Sequence, residues 1–157
     1  MRCWRLTRAR YAATCLSGEG ARLYGGRWND SGVPIVYCAE SIALAALEIL
    51  VHTEASIAPT DLVVIPIEIP DAATTRAIDP KKLPAGWRGY PANSSTKSVG
   101  EAWAKRRDTL LLRVPSAIVP QEHNVLINVG HPLMSRVRMG TPEPFAFDPR
   151  LLSSRTK

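Results

Sequence analysis

A single carboxylate, Glu48, interrupts the otherwise apolar run IALAALEILV at residues 42–51. On a helix it shares a face with Leu44 and Ala45 behind it and with Val51 and His52 ahead. Burying a charge on such a face is costly unless the group is paired or hydrogen-bonded. Two ordinary accounts exist: a helix edge turned to water, and an ion pair with His52 at i+4. The third account is an acid held in a low-dielectric pocket for chemistry. A second suggestive stretch is GGRWN, residues 25–29. Two adjacent glycines let the backbone approach a ligand closely, and Arg27 adds a planar donor fork suited to phosphate or carboxylate. The same letters also suit a tight hairpin whose arginine makes a surface ion pair. Tyr37 in IVYC, Ser116 after Pro115, and Asn128 and His131 beyond NVLI are ambiguous one at a time. They read equally as a core aromatic, a turn residue and strand-end turn formers.

Several chemistries are excluded by pattern. GEGARL has Leu23 where a dinucleotide fingerprint needs glycine, and neither a GxxxxGK[ST] loop nor a GxSxG elbow occurs. Cys3, Cys15 and Cys38 lack paired spacing, and His52, His123 and His131 form no HExxH pattern, so no metal site is expected. The net charge of +6 and pI near 9.6 favour an anionic partner. The basic residues are scattered, which leaves a nucleic-acid module built on Arg2, Arg5, Arg8 and Arg10 as a secondary reading. An odd cysteine count and a start without an apolar signal segment point to a cytoplasmic protein with reduced thiols.

The elements that must position these residues are short. A length of 157 residues suits one domain, residues 1–157, with one core. CWRLTRARYA opens as a strand, residues 17–32 read as Gly-rich loop, and VPIVYCA has strand composition. Ser41 is a reasonable N-cap for a helix over 42–53. DLVVIPIEIP is a strand in which Pro66 argues for an edge or a bulge. Residues 71–93 read as a long surface loop, and 94–108 as a helix weakened by Gly100. Strands follow at TLLLRVP and NVLIN, then a Pro-containing tail. Short strands with two inserted helices make the fold class α+β.

Taken in order, the segments W-R-L-x-R, G-E-G-A-R-L-Y-G-G-R-W-N-x-x-G-x-P-I-V-Y-C-A-E-S and A-L-A-x-L-E-x-L-V-H, followed by L-R-V-P-S-A-I-V-P-x-E-x-N-V-L-I-N-x-x-H-P, resemble the RES domain family. That family is named for its Arg, Glu and Ser and supplies toxins of bacterial toxin–antitoxin pairs. The resemblance spans about residues 3 to 150, with one departure at Val129-Gly130, where an Asn-Pro pattern is expected. It implies an ADP-ribosyltransferase-like fold, with short strands in a split central sheet and helices between them. It also implies NAD+ as substrate and no resident cofactor, with cleavage of the nicotinamide–ribose bond by water or by inorganic phosphate as co-substrate. The alternative is transfer of ADP-ribose to a protein. The implied catalytic residues are Glu48, Arg27 and Tyr37, and the implied substrate-binding residues are Arg5, Ser116 and Asn128. The implied partner is a helix-turn-helix (Xre-like) antitoxin that blocks the active site, with neither membrane nor direct nucleic-acid contact.

Overall fold

Runs of β-branched and aliphatic residues form the expected strands, and the computed structural model, which describes residues 1–53, 59–92 and 94–152, joins them into one sheet. Its strands are β1 (Arg2–Arg8), β2 (Ile35–Ala39), β3 (Leu62–Glu68), β4 (Thr75–Ala77), β5 (Leu111–Pro115), β6 (His123–Asn128), β7 (Arg138–Met139) and β8 (Glu143–Phe145). The order across the sheet is β4-β5-β6-β2-β1-β3-β7, with β8 also pairing β3. Neighbours are antiparallel except β4 and β5. β1 runs in register with β3 from Arg2↔Glu68 to Arg8↔Leu62, and β2 with β6 from Ile35↔Asn128 to Ala39↔Asn124. Between those blocks, β1 and β2 share one Cα pair, Trp4↔Ala39. The sheet is thus two halves pinched together at one end, which is the expected split.

Helices fill the connections: α1 (Glu19–Tyr24), α2 (Ile42–Leu50), α3 (Ser94–Arg106) and α4 (Pro149–Leu152). α2 starts where the sequence places it, because the Ser41 hydroxyl accepts the Leu44 N–H at 3.1 Å and satisfies an orphan donor of the first turn. Leu44 and Ala45 are buried with Leu6, Ala39, Leu62, Val64 and Phe147. Glu48 is therefore carried one turn beyond a fully anchored segment. α3 buries Thr96, Gly100, Trp103 and Ala104, a stripe at helical spacing. Two further apolar clusters fill the rest. Val36, Cys38, Ile65, Ile67, Val125 and Ile127 belong to one. Leu112, Val114 and Leu126 join Trp28, Trp87 and Trp103 in the other.

Four local expectations change. Residues 17–32, read as loop, contain α1, whose glycine content hid it. The stretch after residue 70 contributes β4, a short parallel edge strand beside β5. Pro66 sits in a strand paired on both sides, yet its carbonyl accepts from Gly140 N–H, so its missing N–H points toward the same flank. On that flank β8 pairs residues 62–64 and β7 pairs 67–68, so Pro66 falls between the two ladders and no ladder bond is lost. Gly100 is an anchor, not a weak point: a Cβ there would lie 2.0 Å from the Trp28 carbonyl oxygen. Only glycine lets α3 press against the GGRWN backbone.

Candidate active site

The GGRWN segment folds into a tight turn closed by Gly26 N–H donating to Asn29 O at 2.8 Å. Asn29, fully buried, ties the turn internally through Nδ2 to the carbonyls of Ala21, Asp30 and Val33. The Tyr37 hydroxyl donates to Asn29 Oδ1 at 2.6 Å and accepts Trp28 N–H at 3.1 Å. A Cβ at Gly26 would lie 2.6 Å from that hydroxyl, so the second glycine is dictated by the tyrosine. α3 braces the turn from outside: Thr96 Oγ1 donates to Arg27 O, and Glu101 accepts Asp30 N–H. At the tip, Trp28 enters the core, and Arg27 points into a cleft.

That cleft has a volume of about 1180 Å³ and opens along the split between the sheet halves. Arg5, Arg27, Tyr37, Glu48 and Asn124 all line it, as do Arg88, Tyr90 and Lys97. A smaller cavity of about 170 Å³ adjoins it and shares Arg5, Tyr37, Glu48 and Asn124. Among the described lining residues Glu48 is the one carboxylate, facing four cationic side chains.

Glu48 is half-buried, and its Oε1 accepts from Ser116 Oγ at 2.8 Å and Asn124 Nδ2 at 2.6 Å. Among the described residues nothing donates to Oε2, and Glu48 joins no ion pair. The His52 pairing weighed from sequence does not form; His52 instead contacts the Tyr90 ring at 5.9 Å. Arg5 crosses the split, its Nη1 donating to the Tyr37 carbonyl at 2.6 Å. Its buried Nε–H has no acceptor among the described residues. Arg27 Nη1 donates to the carbonyls of Trp87 at 2.7 Å and Gly89 at 3.1 Å. Burial lowers the Arg27 pKa from its ordinary value, against the raising influence of Glu48 and Tyr37. Burial pushes the Tyr37 phenol well up, opposed by the Trp28 N–H and Arg27. Tyr37 is therefore a neutral phenol with its hydroxyl spent on the turn; only its ring is offered to the cleft.

The expected site residues divide accordingly. Arg5, Arg27, Tyr37 and Glu48 come together. Ser116 does not contact the cleft: it is fully buried, and its oxygen also accepts the N–H groups of Ile118 and Val119 at 3.1 Å. With donor and both acceptor positions filled, it holds Glu48 and has nothing left for a substrate. Asn128 lies away from the cleft, with Nδ2 donating to Ala104 O at the end of α3 and Oδ1 accepting Gly130 N–H. That binding is internal and structural. Asn124 was missed, although it stands in the quoted segment E-x-N-V-L-I-N and has the polar type at a strand position that asks for a reason. Arg88, whose guanidinium donates to the Ala117 and Ile118 carbonyls, was hidden in what read as surface loop. Among the described residues no cluster of three or more His, Cys, Asp or Glu could hold a metal. No helix among them is long and apolar enough to cross a membrane.

Comparison with known proteins follows the same lines. The model of the RES domain matches residues 2–148. The Prs ADP-ribosylating toxin of Sphingobium sp. (strain YBL2) is 44% identical over 153 residues, covering 95% of each chain. Toxin Res of Yersinia enterocolitica serotype O:8 is 39% identical over 152 residues, 96% of this chain and 99% of that one. A chain in the crystal structure of the M. tuberculosis MbcT–MbcA toxin–antitoxin complex superposes with a TM-score of 0.73 at 22% identity, over 96% of this chain and 86% of that chain. That last likeness is one of fold. A family model spanning nearly every residue, and relatives this similar end to end, show that the chain belongs to the RES domain family.

Proposed function

We propose that this protein is the toxin of a toxin–antitoxin pair and acts by breaking the nicotinamide–ribose bond of NAD+. The observation that carries the reading is Glu48, among the described residues the lone carboxylate of a cationic cleft, gripped there on Oε1 and without a donor on Oε2. When the bond between ribose C1′ and the nicotinamide nitrogen breaks, the electron pair leaves with nicotinamide, which departs as a neutral ring. Positive charge is left on the ribose, as in the oxocarbenium-like transition state of glycoside hydrolysis. A fixed anion beside that carbon stabilises the transition state more than the ground state. The leaving group needs no proton, so one carboxylate suffices where glycosidases use two.

Arg27 is the candidate for holding the pyrophosphate, exchanging the Trp87 and Gly89 carbonyls for phosphate oxygens through stronger, charge-assisted bonds. Arg5, whose buried Nε–H has no acceptor among the described residues, is the second candidate. The Tyr37 ring supplies a face for the ribose or nicotinamide. The bond's acceptor is water, or inorganic phosphate as co-substrate. Transfer to a protein is the specific second reading, favoured by the 44% identical relative named as an ADP-ribosylating toxin. NAD+ loss harms the cell that makes such an enzyme, so we propose a cytoplasmic toxin with a cognate helix-turn-helix (Xre-like) antitoxin covering the cleft. The nucleic-acid reading loses support, because Arg2 and Arg8 are engaged by Glu68 and Asp61 and Arg5 is turned inward.

The test is nicotinamide release from NAD+ by purified protein, with and without inorganic phosphate, beside labelled NAD+ offered to a cell extract. Free ADP-ribose, a phosphorylated ADP-ribose, and a labelled protein band identify the three acceptors. No NAD+ consumption in any arm would overturn the proposal.

A further inference from the structure

Strand β6 sets two asparagines on one face. Val125 and Ile127 belong to one apolar cluster and Leu126 to the other, so Asn124, Leu126 and Asn128 share a side. Asparagine is poorly suited to strands, and two within one short strand ask for separate reasons. Asn128 has an internal one, joining the end of α3 to the turn after β6. Asn124, at the other end, lies on the cleft wall with Nδ2 donating to Glu48 Oε1 at 2.6 Å. The amide orientation follows from the chemistry, since a flipped Asn124 would set its oxygen against a carboxylate.

Glu48 shares its cleft with Arg5, Arg27, Arg88 and Lys97, yet it forms no ion pair among the described residues. Lys97 is taken by Asp30 at 2.6 Å. The guanidinium of Arg27 lies near enough to interact electrostatically with Glu48. A carboxylate free to rotate in that field would swing to an arginine, and both groups would lose their use. Ser116 alone is one point of attachment, about which the carboxylate can still turn and exchange its oxygens. Two donors on the same oxygen remove that freedom.

We infer that Asn124 is a positioning residue for the reaction: with Ser116 it pins Glu48 Oε1, keeps the carboxylate off the arginines and presents Oε2 to the ribose. This rests on the reading of Glu48 above. The amide is neutral, so it orients the acid without cancelling its charge, a role that a lysine or arginine at this place cannot fill.

The experiment has two independent parts. In the ligand-free protein, the Asn124 side-chain amide proton is followed by 1H–15N NMR in wild type and Glu48→Gln. A strongly downfield proton that returns to the ordinary range in Glu48→Gln is expected; an ordinary shift in both overturns the inference even if NAD+ chemistry is confirmed. Steady-state kinetics on NAD+ then compare Asn124→Ala and the isosteric Asn124→Asp. Loss of orientation at the reacting centre predicts a fall in kcat of about 10²-fold, with KM within about threefold. Asn124→Asp replaces a donor by a second acceptor, so it falls as far at neutral pH and regains activity toward acid pH, where one proton is shared by the pair. The cleft's other groups able to change charge include His52 and Tyr37, so the pH profile is repeated with His52→Gln. Asn124→Asp retaining wild-type kcat and pH profile would show a merely structural amide. Wild-type protein inert toward NAD+ would sink the enzymatic reading, while the NMR result still decides whether Asn124 grips Glu48.

Discussion

The two walls of the cleft are built on different terms. On one side Glu48 stands on a capped helix over a packed core, held by a buried serine just past the end of β5 and by an asparagine on β6. On the other, Arg27 sits at the tip of a four-residue turn and rests on backbone carbonyls of residues 87 and 89, in a stretch without strand or α-helix. The first wall is finished before any ligand arrives; the second holds its cation on neutral acceptors that a phosphate can displace. Pre-organisation is worth most where charge develops during reaction, and adaptability is tolerable where a phosphate is merely held. The difference teaches that chemistry and binding are separable here, which substitutions can break or sharpen.

The largest effect belongs to Glu48→Gln, which keeps shape and removes the anion. A loss in kcat of about 10³-fold is expected, by analogy with removal of a single electrostatic stabiliser elsewhere. Next comes Ser116→Ala, which removes the acceptor of the partly buried N–H groups of Ile118 and Val119 and frees one side of Glu48. Thermal and urea unfolding should show a loss of about 1–3 kcal/mol, and kcat should fall while KM holds. Gly100→Ala adds a better helix former, yet its Cβ meets the Trp28 carbonyl. Destabilisation of about 1–3 kcal/mol from overpacking, with a raised KM as the turn bearing Arg27 shifts, is the expected outcome. A stabilised protein would show that α3 does not brace the turn.

Smaller still is Tyr37→Phe, which removes the phenol's two bonds to the turn and should cost about 1–2 kcal/mol. Its pH signature has a definite sign. The folded-state pKa is raised, so the phenol's contribution is fully present below the unfolded value near 10 and is lost as pH rises above it. Wild type should weaken in alkaline unfolding experiments relative to Tyr37→Phe, and parallel curves would contradict the burial of that hydroxyl. Asn128→Ala should lower stability alone, leaving kcat and KM as they were.

Much of this arrangement is legible in the chain. Glu48 is conspicuous because a charge within an apolar helix needs a reason, and GGRWN because paired glycines before an arginine are a backbone device. The split sheet follows from the family resemblance, not from periodicity. What the sequence does not display is direction. Ser116 and Asn128 have the right chemistry, but nothing local says that one faces Glu48 and the other faces the end of α3. Asn124 and Asn128 share a strand face, and only their positions along β6 separate a cleft residue from an internal tie. The role of Gly100 is likewise tertiary, since helix propensity counts it as a flaw and the contact with Trp28 makes it a requirement. α1 was lost to its glycines, and β4 to the Pro-rich text around it.

The most direct test of the division between the walls is calorimetric titration of NAD+ into Glu48→Gln and Arg27→Ala, beside turnover by each. Glu48→Gln is expected to bind NAD+ within about threefold of the wild-type dissociation constant, with turnover nearly abolished; Arg27→Ala is expected to bind at least about tenfold more weakly and to keep most of its kcat. Binding lost with Glu48, or kcat lost with Arg27 while affinity is unchanged, would contradict the account.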